Sequence, residues 1–135
     1  MKTTVKGCMQ LDIFKDAVLA AGEKGLGRKI RYASVLEPSE PEEIRELVDC
    51  EDRIFVTGFF GARDDSDKQA AVIRELADKK AAGLIVLYVG KIVKILEDNV
   101  LEAANEAELP LIVFKDSSAE YGTVLNAIEE SNIRR

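Results

Sequence analysis

The chain has no histidine, no tryptophan and only two cysteines among its 135 residues. Without an imidazole, neither a Ser–His–Asp nor a Cys–His nucleophilic arrangement can form. Cys8 and Cys50 are the remaining nitrogen- or sulfur-type zinc ligands, and they stand far apart in the sequence, which argues against a zinc site. Any general acid or base would have to be Asp, Glu, Lys, Tyr or Cys.

Long apolar runs are missing as well. The longest one, residues 83–90, is too short to cross a bilayer. The basic first residues are followed by a segment that Gln10 and Asp12 interrupt, which does not match a signal peptide. With few cysteines and no export signal, the sequence predicts a cytoplasmic protein that has no membrane partner.

Basic residues are fewer than acidic ones. The chain has 19 Lys and Arg and 25 Asp and Glu, which gives a formal net charge of −6. This balance argues against direct nucleic-acid binding, which depends on neutralising phosphates. The hydrophobic share of 47% and the charged share of 33% are typical of a globular protein. The length suits one domain, so residues 1–135 are predicted to form a single domain.

The second half of the chain alternates apolar runs of strand length with helical stripes. Ser66 with Gln69, and Ser117 with Glu120, match the capping-box pattern of a helix start, and Gly83 suits a helix end. This β-α-β-α-β-α order predicts parallel strands joined by right-handed crossovers. The predicted strands are residues 53–57, 84–89 and 111–114, and the predicted helices are residues 65–82, 92–107 and 121–128.

The first half is less regular. Residues 30–36 are predicted to form a strand, and Ser39 with Glu42 opens a short helix that runs to Val48. Residues 14–21 suit either a helix or a short strand on composition alone. The predicted fold class is α/β, with a mostly parallel sheet of about five short strands and helices on both faces.

Several stretches of the chain match, in order, those of a known regulatory family. Val18–Gly22 matches an apolar strand ending in Ala-Gly, and residues 23–28 match the turn that follows it. Ile54–Gly58 matches a strand ending in Thr-Thr-Gly, and residues 107–111 match a Leu-Gly-Leu-Pro-Leu segment. Over residues 4–130 the chain resembles the N-terminal domain of the purine catabolism regulator-like family (the PucR N-terminal domain).

The resemblance implies a strand near residues 17–20 and a sensory role in the regulation of transcription. Family members usually end in a helix-turn-helix DNA-binding segment, and nothing in this sequence resembles one. The chain is therefore expected to be an excised domain or a stand-alone relative without a DNA-binding domain. Together with the absent histidine, the resemblance favours a non-enzymatic domain with no catalytic residue, no metal site and no cofactor.

The candidate ligand site lies at the ends of the predicted parallel strands, where open sheets of this kind bind ligands. The first loop supplies the Thr57 hydroxyl, the backbone of Gly58 and the guanidinium of Arg63. Lys91 and Lys115 follow the next two strands, so these residues are predicted to bind a small anionic metabolite. The alternative is that the loop carboxylates cap the following helix and that the lysines are simply solvated.

Phe59 and Phe60 open the same loop and cannot both point in one direction in an extended chain. An exposed one would mark a surface for a ligand or a partner. The partner predicted for the chain is therefore a small metabolite or another protein, and a homodimer is one form of the second. The competing hypothesis is a self-association module that binds no small ligand.

Overall fold

The computed structural model describes residues 3–37, 40–115 and 119–134. Strands and helices alternate along most of this length, and three short 3-10 turns at Asp12–Asp16, Glu23–Gly25 and Phe60–Ala62 connect them. The strands are β1 (Thr3–Thr4), β2 (Val18–Ala21), β3 (Lys29–Ile30), β4 (Tyr32–Val35), β5 (Arg53–Thr57), β6 (Gly83–Val89) and β7 (Leu111–Lys115). The helices are α1 (Val5–Cys8), α2 (Pro41–Leu47), α3 (Ser66–Asp78), α4 (Asp98–Ala107) and α5 (Tyr121–Arg134).

Five of these strands form one sheet in the order β2-β7-β6-β5-β4. The strands β4, β5, β6 and β7 run parallel, while β2 pairs antiparallel with β7. The short strands β1 and β3 form a separate antiparallel pair, with Thr3 opposite Ile30. The predicted α/β class with a mostly parallel sheet is confirmed.

Successive side chains of the central strands point to opposite faces, and a helical layer covers each face. On one face Phe55, Leu84 and Val86 pack in the same cluster as the buried residues of α2, α3 and α4. On the other face Ile54 and Ile85 pack in the same cluster as the buried residues of α1 and α5. This double coverage explains why β6 is apolar throughout, since it has no solvent-facing side. No helix in the described part of the chain is long and apolar enough to cross a membrane.

Both ends of α3 differ from the sequence prediction. The N-cap is Asp65 rather than Ser66, because the Asp65 carboxylate accepts the backbone N–H of Lys68 at 3.0 Å. At the other end Lys80 takes the left-handed conformation, with φ of 64°. The N–H of Ala81 then bonds the carbonyl of Leu76 at 3.0 Å, a Schellman closure, and Gly83 begins β6 instead.

The helix predicted over residues 92–107 begins only at Asp98. A tight turn holds the residues before it, in which Ile92 donates its N–H to the carbonyl of Tyr88 and Gly90 donates to that of Val93. Gly90, two residues before the predicted helix start, has a φ of 106°, which glycine allows in this turn. The apolar spacing that suggested a helix there comes from Ile92, Ile95 and Leu96, which lie in a loop where Ile95 is 71% exposed.

The predictions for the first half hold with smaller changes. The strand implied near residues 17–20 is β2, and the predicted strand over residues 30–36 is divided into β3 and β4. The predicted short helix is α2, and Pro41 lies in its first turn. Ser39 and Ser117, the proposed capping residues of α2 and α5, lie outside the described residues.

The connection after β2 requires glycine at position 22. Gly22 has a φ of 78°, and a Cβ added there would lie 1.9 Å from the carbonyl oxygen of Leu109. We expect Gly22→Ala to lower the free energy of unfolding by about 3 kcal/mol or more, because strain and a backbone clash act together. Gly27→Ala is the matched control, since a Cβ there meets nothing within 4 Å. Urea unfolding should place the control within about 0.5 kcal/mol of the wild type, and equal losses in both variants would contradict the close approach at Gly22.

At the end of α4, the backbone conformation would suit a glycine better than the residue that is there. Glu108 is exposed and left-handed, with φ of 55°, at the position where the resemblance places glycine. Glu108→Gly should raise the free energy of unfolding by about 0.5–1 kcal/mol, because the steric cost of the left-handed conformation disappears. The same substitution two residues earlier, Glu106→Gly, should lower it by about 1 kcal/mol, since Glu106 is in the helix. Thermal unfolding of the two variants should therefore give shifts of opposite sign.

Candidate functional site

A carboxylate from the loop after β4 is bound at the carboxyl edge of the sheet. One oxygen of Glu37, Oε2, accepts the backbone N–H of Gly58 at 2.7 Å and also the hydroxyl of Tyr121. The other oxygen, Oε1, accepts the backbone N–H of Phe60 at 3.1 Å. Three donors from two segments therefore hold both oxygens of one carboxylate, an arrangement of charge-assisted hydrogen bonds.

The conformation of the loop after β5 explains why its N–H groups converge. Phe59 is left-handed, with φ of 57°, and its side chain is only 1% exposed. Its own N–H donates to the hydroxyl of the fully buried Thr57 at 3.0 Å. The N–H groups on either side of Phe59 are then left to bind the carboxylate, as in the concave backbone anion sites called nests.

Gly58 is required at this site by the space around it. A Cβ at position 58 would lie 2.6 Å from the ring of Phe60 and 2.9 Å from the hydroxyl of Tyr121. Any side chain would push the tyrosine away from the carboxylate or displace the loop. The glycine therefore allows the backbone and the tyrosine to reach the same oxygen.

Three aromatic rings lie beside the carboxylate. The ring centroids of Phe60 and Tyr88 are 6.3 Å apart, and those of Tyr88 and Tyr121 are 6.0 Å apart, both with edge-on geometry. Tyr88 is left-handed, with φ of 60°, where the pairing of β6 with β7 becomes irregular. An irregularity of this kind redirects a side chain at the end of a strand. We call Glu37, Gly58, Phe60, Tyr88 and Tyr121 the edge cluster.

Burial has the largest effect on the Tyr121 hydroxyl. It raises the pKa of Tyr121 above its ordinary value of about 10, and the hydrogen bond to Glu37 and the charge of that carboxylate raise it further. Ionising the tyrosine would bring a second negative charge against Glu37 and remove the donor that holds it. The tyrosine therefore acts as a hydrogen-bond donor here and is kept protonated.

The sequence-predicted site residues fall into two groups. Thr57 and Gly58 form the loop that binds Glu37, and Arg63 belongs to the same loop. The Nε of Arg63 donates to the carbonyl of Phe60 at 3.3 Å, and its guanidinium lies 5.8 Å from the centre of the Phe60 ring. Lys91 and Lys115 are exposed residues at the ends of β6 and β7, outside the contacts of the edge cluster described above.

Sequence reasoning missed three members of the edge cluster. Tyr121 was assigned to the apolar stripe of the last helix, Tyr88 to a buried strand, and Glu37 had no assigned role. The position of Glu37 directly after a predicted strand was the available signal, because the rule that selected Gly58 applies to that strand end as well. The tyrosines carried no such signal, since their hydroxyls reach the edge only through the tertiary packing.

The capping interpretation of the loop carboxylates is confirmed for Asp65, which is the N-cap of α3. The Asp67 carboxylate accepts from the side-chain amide of Asn99 at 3.1 Å. Asp65 therefore caps the start of α3, whereas Asp67 links α3 to α4. Asp116, Ser117 and Ser118, which the sequence suggested as another helix cap, lie outside the described residues.

The two cysteines are free and buried, as small apolar core residues. Burial raises the pKa of the Cys8 thiol to about 12, and burial also raises that of Cys50. Neither thiol is activated as a nucleophile, because activation requires a lowered pKa. Within the described residues no group of three or more Cys, Asp or Glu is placed to hold a metal ion.

Comparison with known proteins agrees with this architecture. The model of the purine catabolism regulatory protein-like family matches residues 7–131 of the chain. That span includes every strand of the five-stranded sheet and all members of the edge cluster. No curated protein matches the chain in sequence.

The bond between Tyr121 and Glu37 can be tested by its pH dependence. Tyr121→Phe should lower the free energy of unfolding near neutral pH by about 1–2 kcal/mol, because a charged hydrogen bond is lost. The folded-state pKa is raised, so the stabilisation is complete below the unfolded pKa of about 10 and decreases as the pH rises above it. Urea unfolding from pH 8 to pH 11 (roughly the window around that pKa) should show the difference between wild type and variant narrowing.

Tyr32→Phe serves as the control for this experiment. Tyr32 is a 51% exposed tyrosine on β4, so removing its hydroxyl should change the stability near neutral pH by less than about 0.5 kcal/mol. A difference between wild type and Tyr121→Phe that stays constant over the whole pH range would contradict the raised pKa of Tyr121.

Proposed function

Since the chain belongs to the purine catabolism regulatory protein-like family, we propose that it is a non-enzymatic sensory domain that binds a small anionic metabolite. The family is regulatory, and a sensory domain passes on the presence of a ligand as a change in its own surface. We place the ligand at the carboxyl edge of the sheet, in a cytoplasmic protein that acts on transcription.

The observation that best supports this proposal is the donor set of the edge cluster. The N–H groups of Gly58 and Phe60 and the hydroxyl of Tyr121 already hold one carboxylate there. A donor set of this kind binds anions because its dipoles are oriented before the anion arrives. The sheet edge is also where open parallel sheets place their ligand crevices.

Positive charge on the neighbouring loops supports an anionic ligand. Arg63 and Lys91 follow β5 and β6, Lys115 is the last residue of β7, and all three are exposed. Arg63 also lies against Phe60 of the edge cluster. Cations at the rim of a crevice raise the local concentration of anions and speed their association. In this proposal Thr57 shapes the loop, Gly58 donates to the ligand, and the three cations attract it.

Exposure of the candidate acid and base groups supports a binding role rather than catalysis. Asp64 and Lys91, both near the sheet edge, are exposed to solvent. Acid–base catalysis at neutral pH needs groups whose environments separate their pKa values, and that requires burial or close charge pairing. Neither residue has the burial that such a role requires.

Self-association is the second candidate function. Tyr32 and Val35 on the edge strand β4 are 51% and 45% exposed, and Leu47 on α2 is 79% exposed. Unpaired edge strands with apolar side chains readily pair with another chain. The sequence had suggested either an exposed patch around Phe59 and Phe60 or an open sheet edge for this role. Phe59 is buried, whereas Phe60 is 40% exposed.

A panel of small carboxylates, phosphates and neutral analogues tests the ligand proposal. At least one anionic compound should raise the melting temperature of the wild type in a dose-dependent way, because a ligand that binds the native state stabilises it. Arg63→Ala should weaken the binding of that compound by roughly tenfold. It should change the free energy of unfolding of the ligand-free protein by less than about 0.5 kcal/mol. Arg74→Ala removes the same charge from an exposed position on α3 and should bind as the wild type does.

Two outcomes would count against the proposal. If Arg63→Ala unfolds, the side chain is structural and its assignment to the site is wrong. If no compound in the panel shifts the melting temperature and sedimentation shows a concentration-dependent dimer, self-association replaces ligand binding as the function.

A further inference from the structure

The carboxylate in the edge cluster comes from outside the loop that binds it. Glu37 follows β4, whereas its donors come from the loop after β5 and from the first residue of α5. The residue as a whole is exposed, although both of its carboxylate oxygens are engaged. The donors on these other elements therefore bind the Glu37 carboxylate as they would bind the carboxylate of a separate ligand.

The donor set has supports that do not involve Glu37. Phe59 is anchored by its buried ring, and its N–H is bound by the Thr57 hydroxyl. The turn that follows is closed by the N–H of Ala62, which donates to the carbonyl of Phe59 at 3.0 Å. The carbonyl of Ala62 in turn accepts from the buried side chain of Gln69 at 2.7 Å. These bonds hold the loop from both sides, so the donors should stay in position when the carboxylate leaves.

The shape of the donor set matches a carboxylate. One donor reaches one oxygen and two donors reach the other, which matches a planar group with two acceptor atoms. The rings of Phe60, Tyr88 and Tyr121 lie beside it. Phe60 is 40% exposed, and the Arg63 guanidinium lies over its ring. A flat apolar body attached to the carboxylate would therefore meet aromatic surface, where ring–ring contacts are favourable.

We propose that Glu37 is an internal competitor that occupies a binding site for aromatic carboxylates, and that such a ligand displaces it. This inference rests on the proposed function, since it names the ligand class and the regulation of the same site. The ligand carboxylate takes the bonds from Gly58, Phe60 and Tyr121, and its ring packs on Phe60. Glu37 is released from these donors, which changes the surface at the carboxyl end of the edge strand β4.

Because Glu37 is tethered beside the site, the strength of its competition determines how much its removal raises the affinity for an external carboxylate. A side chain held next to its site acts at an effective concentration of the order of millimolar or more. The measured affinity of an external ligand equals its intrinsic affinity multiplied by the fraction of molecules in which the site is open. Removing Glu37 should therefore strengthen the binding of an external carboxylate without adding any contact.

The experiment uses benzoate as the probe, titrated into the wild type and into Glu37→Ala, with binding followed by the backbone amide signals of Gly58 and Phe60. The variant should bind benzoate at least about tenfold more tightly than the wild type. Glu46→Ala removes the same side chain from an exposed position on α2, and it should bind benzoate as the wild type does. Benzamide, which is neutral, should bind neither protein, and acetate should bind the variant more weakly than benzoate.

Glu37→Gln is a second variant that tests the proposal even if the alanine variant does not fold. It keeps the volume of the side chain but lacks the charge, so it should compete less well and give a gain between those of the wild type and Glu37→Ala. Equal benzoate affinity in all variants that fold would overturn the proposal. Tighter binding of inorganic phosphate than of benzoate by Glu37→Ala would overturn the assignment to carboxylates.

These results separate this inference from the proposed function. If the wild type responds to a compound in the panel but Glu37→Ala gains no affinity for benzoate, sensing stands and the internal competitor is wrong. If Glu37→Ala gains affinity for benzoate but no compound shifts the melting temperature of the wild type, Glu37 does occupy a carboxylate site, but no ligand displaces it and the sensory function is wrong.

Discussion

Parallel pairing of β4, β5, β6 and β7 is the constraint from which the candidate site follows. Parallel strands bring their carboxyl ends to one edge of the sheet, so the loops after β4, β5 and β6 meet there although they are far apart in sequence. Helices on both faces hold the strands in register and leave that edge open. The meeting of Glu37 with Gly58 and Tyr121 is possible only because of this arrangement.

Two of the five non-glycine residues that are left-handed in the described part of the chain, Phe59 and Tyr88, lie at the same edge. Phe59 and Tyr88 are both left-handed, which is costly for aromatic residues and is maintained only by strong packing around them. In Phe59 the buried ring provides that packing, and the strained backbone directs two N–H groups to one carboxylate. At Tyr88 the conformation brings the ring between Phe60 and Tyr121. The stability of the core is therefore used to maintain the geometry of the edge.

Sequence patterns predicted the parts of the fold that depend on local chemistry. The apolar runs at β5, β6 and β7 and the stripe of α3 follow directly from burial on one or two faces. The start of α4 could not be found this way, because Ile92, Ile95 and Leu96 have the spacing of a helical stripe although they lie in a loop, where Ile95 is 71% exposed. The end of α3 was misplaced because Lys80, and not a glycine, takes the left-handed position.

The sequence by itself determined the class of this protein. The alternating strands and helices predict an α/β domain, and the ordered motifs match the regulatory family. The glycine after β5 predicts a site in the loop that follows that strand. The tertiary structure alone decided what fills that loop. Glu37 and Tyr121 are 84 residues apart, and their hydrogen bond depends on how the sheet and α5 pack, a long-range contact that no local pattern encodes.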